Sequence, residues 1–194
     1  MRALIRKSFA GPGLPGAPSG LEDNPPPADQ PLTQAAVLVP IIDRSAGMTV
    51  LLTQRTAHLP SHAGQISFPG GRTQPSDTSP EDTALREAEE ETGLERRFVE
   101  LVGRLEVRET GTGYRVTPVV GIVEPDFDLR PDPSEVEHAF EAPLAFLIDP
   151  ANHRFETRVT RGVERQFYAI SYESHYIWGL TARLLVNLSG VLRG

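Results

Sequence analysis

GQISFPGGRTQPSDTSPEDTALREAEEETGL, residues 64–94, ends in four glutamates crowded within five positions: Glu87, Glu89, Glu90 and Glu91. Successive helical residues are about 100° apart, so Glu87, Glu90 and Glu91 fall within an arc of ~100° while Glu89 points nearly opposite. So many like charges on one or two helical turns are unfavourable unless a cation makes use of them. The helix itself is well marked. Ser79 is a good N-cap, Pro80 suits the first helical position, and Asp82 follows three residues after the cap. Gly93 stands where a left-handed residue ends a helix. Ala84, Leu85 and Ala88 supply a small apolar surface for close packing. The reading predicts a helix over 80–92 behind the double glycine Gly70-Gly71.

Working outward, AAVLVPII (35–42) and MTVLLTQR (48–55) are apolar and β-branched and are expected to pair as a hairpin across DRSAG. The loop from Thr56 to Gly71 is long and without hydrophobic period, the mark of a functional loop. VELVGRLEV (99–107) and RVTPVVGIVE (115–124) read as strands joined by TGTG (110–113). Residues 136–150 read as a strand turning into a short helix at Pro143, and 153–159 with 166–172 as a hairpin turning at Arg161-Gly162. Residues 176–192 place Ile177, Leu180, Leu184, Leu185, Leu188 and Val191 at helical spacing, and a C-terminal helix is expected there. Residues 1–34, with prolines 25–27 in succession, read as an irregular arm; residues 35–194 read as one domain. Such an arm suits packing over the domain or a partner subunit, so a homodimer is compatible with it.

The 194 residues contain no cysteine, which removes disulfides, thiolate nucleophiles and cysteine-held zinc. No apolar run approaches the ~20 residues that span a bilayer, and the basic start MRALIRKSFAGPG lacks the apolar centre of a signal peptide. A cytoplasmic protein without membrane association is the expectation. A net charge of −7 argues against a nucleic-acid partner, though not against a small phosphorylated substrate bound through a divalent cation.

Arg86, Glu87, Ala88, Glu89, Glu90, Glu91, Thr92, Gly93 and Leu94 match the end of the Nudix box in full, and the stretch from Gly71 resembles that family. The upstream carboxylate departs from the pattern: it is Asp77 rather than Glu, and eight residues rather than seven separate it from Arg86. Leu51, Leu52, Thr53, Arg55, Gly64, Phe68, Pro69, Gly70 and Gly71 further resemble the signature of the coenzyme A pyrophosphatase branch, with Thr56 and Pro60 as departures. YIWGLTARLL (176–185) is similar to that branch too. The resemblance implies an α/β fold, an α/β/α sandwich with a mixed sheet and a catalytic loop-helix-loop. It implies hydrolysis of the diphosphate of coenzyme A, with Mg²⁺ or Mn²⁺ as cofactor.

Glu87 and Glu91, one turn apart, offer two hard oxygen ligands and Glu90 completes the face. By resemblance the Gly70 carbonyl reaches the same metal, and Arg55, Gly64, Phe68 and Gly71 help to hold the substrate. Arg86 is a candidate catalytic cation and also stands at i−4 from Glu90, where it can orient that carboxylate. Glu90 is the first candidate for general base, with Glu109 and Glu135 as alternatives. Blander readings stand beside these. A run of glutamates is usually a solvated face, Phe68 is simply read as a core anchor, and His58 and His62 can be solvated loop residues. His138, His153 and His175 lack metal-ligand spacing. Three functions follow: a coenzyme A diphosphatase; the same reaction on ADP-ribose, a dinucleotide or a nucleoside triphosphate; and a binding module without catalysis, which the retained glutamates disfavour.

Overall fold

The computed structural model describes residues 1–11, 31–58, 63–160 and 163–193. In chain order the elements are α1 (Arg2–Phe9), β1 (Thr33–Ile42), β2 (Thr49–Arg55), β3 (Ile66–Ser67), β4 (Gly70–Arg72) and α2 (Pro80–Thr92). There follow β5 (Val99–Arg104), β6 (Arg108–Glu109), β7 (Tyr114–Val123), β8 (Val136–Pro143) and α3 (Leu144–Leu147). The chain ends with β9 (Arg154–Thr160), β10 (Val163–Tyr172), β11 (His175–Trp178) and α4 (Leu180–Arg193). The central strand β1 runs parallel to β7 along its whole length, from Thr33 opposite Tyr114 to Ile42 opposite Val123. The other pairings in this sheet are antiparallel, with β2, β8 and β3 on one flank and β5 and β6 on the other.

Because side chains alternate across a strand, a central strand buried on both sides is apolar throughout. Ala36, Leu38, Ile42 and Leu51 face α2, where Ala84 and Ala88 let the helix approach closely. Val39, Ile41, Val50 and Leu52 face the opposite way, toward Leu184, Leu185 and Leu188 of α4 and Ile170 and Ile177 of a second sheet ordered β11-β10-β9. The result is an α/β fold with a mixed sheet between helical layers, and no helix among the described residues is long and apolar enough to cross a membrane.

The structure revises four expectations. The β1–β2 hairpin pairs only at Ile41–Val50 and Ile42–Thr49, because β4 takes the flank of β1 at Ala35–Val37. The TGTG turn joins β6 to β7, and the preceding strand already ends at Arg104. Tyr176–Trp178 belongs to β11, and the helix starts only at Leu180 after Gly179 turns the chain at φ +63°. Trp178 thus packs edge-on against Phe167 from a strand. The arm expected to be irregular over 1–34 instead opens with a helix and ends inside β1: α1 docks on the domain with Ile5 fully buried, and Phe9 lies over Gly103, where an added Cβ would meet its ring at 2.8 Å. The prolines at 25–27, Pro60, His62 and the Arg161-Gly162 turn lie outside the described residues.

Candidate functional site

Helix α2 begins and ends as its sequence dictates. Ser79 accepts a hydrogen bond from the Asp82 N–H, and Gly93 closes the helix at φ +74°. An N-cap of this kind stabilises by ~1 kcal/mol. The last carbonyls are capped from a distant loop: the Arg130 and Asp132 N–H groups donate to Thr92 and Glu91 at 2.8 and 3.0 Å. That loop continues to Glu135, whose carbonyl accepts from the Thr56 N–H at 3.0 Å, just beyond the end of β2. Two segments remote in sequence are thereby brought to one end of α2.

Arg86 organises the helix surface. Its Nε and Nη2 bind Asp77 at 2.9 and 3.0 Å, Nη1 binds Glu87 and Glu90 at 2.8 and 2.9 Å, and Nη2 also reaches the Arg72 carbonyl at 3.0 Å. All five guanidinium donors are engaged by the protein. Among these contacts is the one to Glu90 at i+4 that the helical spacing predicts, and none of the five donors is left pointing outward. Asp77 is nearly fully buried and also accepts from the Gln74 N–H and the Thr83 hydroxyl. The Arg86 hydrogen bonds hold its carboxyl well below the usual carboxylate range. The aspartate that departs from the family spacing is thus the anchor of the whole array, a role that its position in the sequence did not reveal.

The three carboxylates of the expected face are placed differently from one another. Among the described residues no three carboxylate or imidazole groups converge as a ready-made metal cage. Arg86 draws Glu90 to the outside, where its side chain is 57% exposed, whereas Glu91 is only 4% exposed. Glu87 is intermediate and lies against Gly71, so closely that a Cβ there would sit 2.3 Å from its Oε2. Burial pushes Glu91 up to about 8, with the Glu135 and Glu87 charges adding to the effect and Arg55 and the Gly70 N–H opposing it. Burial raises Glu87 also, against the pull of Arg86.

Arg55 ends β2 beyond a register shift between Gln54 and Arg55, and its Nη1 stands 3.7 Å from Glu91 Oε1. Its backbone is pinned by Gln65 and Gly64, and Gly64 turns the chain at φ +69°. Phe68 goes elsewhere. It is 3% exposed within the core beneath α4, so it cannot stack on a substrate. Glu109 lies on β6 with Arg115 at 3.9 Å, and His58 is exposed.

The donor set fits a hard divalent cation. Glu91 is a buried carboxylate that feels the charges of Glu87 and Glu135, with one loosely placed guanidinium to offset them, and a metal of the Mg²⁺ type needs few protein oxygens because it retains water. The buried charge has a consequence for stability. A carboxylate whose folded pKa lies above its unfolded value contributes stability that is complete below the unfolded pKa and is lost as pH rises through the folded one. The melting temperature of the metal-free protein is therefore expected to fall between pH ~5 and pH ~8. Differential scanning fluorimetry of Glu91→Gln should show that component of the slope removed; an unchanged slope would count against the assignment.

A family model described as the NUDIX domain matches residues 32–161. An uncharacterised Nudix hydrolase NudL of Photorhabdus laumondii is 41% identical over 176 residues, covering 91% of this chain and 90% of that protein. The NudL of Escherichia coli K12 is 42% identical over 156 residues, covering 80% and 81%. Among solved structures, a Caenorhabditis elegans Ap4A hydrolase complex aligns with a TM-score of 0.50 at 20% identity over 57% of this chain and 80% of that one. RenU of Mycobacterium smegmatis gives 0.50 at 20%, over 60% and 73%. At those identities the structures speak to the fold alone.

Proposed function

The chain belongs to the Nudix family, and from that premise we propose that it is a metal-dependent coenzyme A diphosphatase. It would cut coenzyme A or its acyl derivatives to 3′,5′-ADP and 4′-phosphopantetheine or the acylated form. The observation that carries the reaction is Glu91, a carboxylate buried to 4% exposure beside Glu87 and short of positive charge. Glu87, Glu91 and the Gly70 carbonyl are the groups that would hold Mg²⁺ or Mn²⁺. When bound, such a cation neutralises the diphosphate and acidifies a coordinated water enough for attack on phosphorus. Arg86 keeps Glu87 and Glu90 in position.

A proton acceptor must reach the attacking water. Glu90 is engaged by Arg86, and Glu109 has Arg115 as its neighbour. Glu135 acts electrostatically on both Glu87 and Glu91 and has no ion-pair partner among the described residues, which favours it as the base. Coenzyme A as substrate is supported by the LLTQR and GQISFPGG stretches (51–55 and 64–71), whose Arg55 and Gly71 border the site.

The test is a substrate panel with Mg²⁺ and Mn²⁺, comprising coenzyme A, acyl-coenzyme A, ADP-ribose, dinucleotides and nucleoside triphosphates. The expected result is kcat/KM for coenzyme A at least about tenfold above the others, the discrimination that ~1.4 kcal/mol of transition-state binding gives. Coenzyme A left intact while ADP-ribose turns over would refute the substrate and keep the reaction.

A further inference from the structure

Two arginines meet the glutamates of this site, and they do so differently. All five donors of Arg86 are engaged, whereas Arg55 forms an ion pair with Glu91 at 3.7 Å and no side-chain hydrogen bond among the described residues. Its side chain is 24% exposed, so it keeps a route outward, while its backbone is fixed on both sides by Gln65 and Gly64. The contact is therefore one that a side-chain rotation can break without moving the strand. A divalent cation arriving at Glu91 repels a guanidinium held there by one contact at 3.7 Å, whereas Arg86 is kept beside Glu87 by five hydrogen bonds. A substrate diphosphate offers the displaced guanidinium a bidentate partner.

We propose that Arg55 is the stand-in counter-ion of Glu91 in the metal-free protein, displaced when a divalent cation arrives and transferred to the diphosphate of the substrate. The inference rests on the reading of Glu87 and Glu91 as metal ligands. It makes Arg55 a coupling device. The cation frees the guanidinium that the substrate needs, and by linkage the substrate strengthens cation binding by the same factor. Substrate bound without metal would find Arg55 still held by Glu91.

The experiment titrates Mn²⁺ into the full-length protein without substrate, reading free Mn²⁺ by electron paramagnetic resonance, for the wild type, Arg55→Gln and Arg55→Lys. The expected result is tighter Mn²⁺ binding in Arg55→Gln by roughly fivefold or more, with Arg55→Lys closer to the wild type. The same Arg55→Gln protein should show KM for coenzyme A raised by roughly fivefold or more. Opposite signs for metal and substrate are the signature. Weakened Mn²⁺ binding would make Arg55 a structural support of the site, and unchanged binding a plain substrate ligand; either overturns the proposal. A KM that does not rise overturns the transfer. The Mn²⁺ measurement needs no substrate, so it decides the counter-ion role even if coenzyme A proves to be the wrong one. A wild type that binds no Mn²⁺ at millimolar concentration would refute the metal site and this inference together.

Discussion

Glu91→Gln is expected to lower metal-dependent kcat/KM by at least about 10³-fold, a loss of ~4 kcal/mol of transition-state stabilisation, without lowering the melting temperature of the metal-free protein near neutral pH. The two effects separate because Glu91 is buried. Burial raises its carboxyl to about 8 even with Arg55 at 3.7 Å, so near neutral pH the metal-free protein gains little from the charge that glutamine removes. A cation, by contrast, needs the ionised group, and its binding must release a proton. Glu135→Gln provides the contrast: its exposed side chain should leave Mn²⁺ affinity nearly intact while kcat falls by about 10²-fold or more, the range for loss of a general base. Activity assays paired with Mn²⁺ titration and thermal melts would distinguish the two. A Glu91→Gln enzyme with wild-type turnover would remove the basis of the site.

The largest effect on stability is expected from Gly70→Ala. An added Cβ would lie 2.4 Å from the Ala36 carbonyl oxygen and 2.6 Å from the Val37 Cα, both backbone atoms of the central strand. Backbone in the middle of a sheet cannot yield as a side chain can, so the cost is about 3 kcal/mol or more. At roughly 2–4 °C per kcal/mol for a chain of this size, the melting temperature should drop by about 6 °C or more. Gly71→Ala is the instructive neighbour. The three atoms nearest its Cβ would all belong to the Glu87 carboxylate, the far end of a flexible side chain, which can swing away at the cost of its Arg86 contact. The protein should remain folded while metal affinity and kcat/KM decline by about 10²-fold, since Glu87 is turned out of position. If Gly71→Ala melted earlier than Gly70→Ala, the β1–β4 pairing would not be the constraint described.

Helix α2 was legible from end to end, from Ser79 to Gly93, because caps and terminators act within a few residues of where they stand. Strands β7, β8 and β10 were legible for a related reason: β-branched and apolar runs bounded by turn residues admit few other structures. Near the C-terminus two periods compete in the sequence. Ile177 fits both a helical face and the strand β11, and only Gly179, placed between Trp178 and Leu180, marks the change. The β1–β2 hairpin was overextended because a strand's partner on each flank is settled by what else folds against it, here β4.

The carboxylate inventory, the helix that carries it and the Nudix relationship were determined by the sequence alone, since they depend on residue identity and on spacing along one helix. Which carboxylate faces which way was decided only by the tertiary structure. Glu90 and Glu91 are adjacent in the chain, yet one is drawn outward by an arginine that Asp77 anchors, and the other is buried against β4 and the end of β2. Phe68 was assigned to the substrate by resemblance and to the core by packing. Arg55 and Glu135 reach the site across long sequence separations, and no local signal relates them to Glu91. Charge and burial act through space, so the electrostatic character of this site exists only once the sheet, the helix and the capping loop have come together.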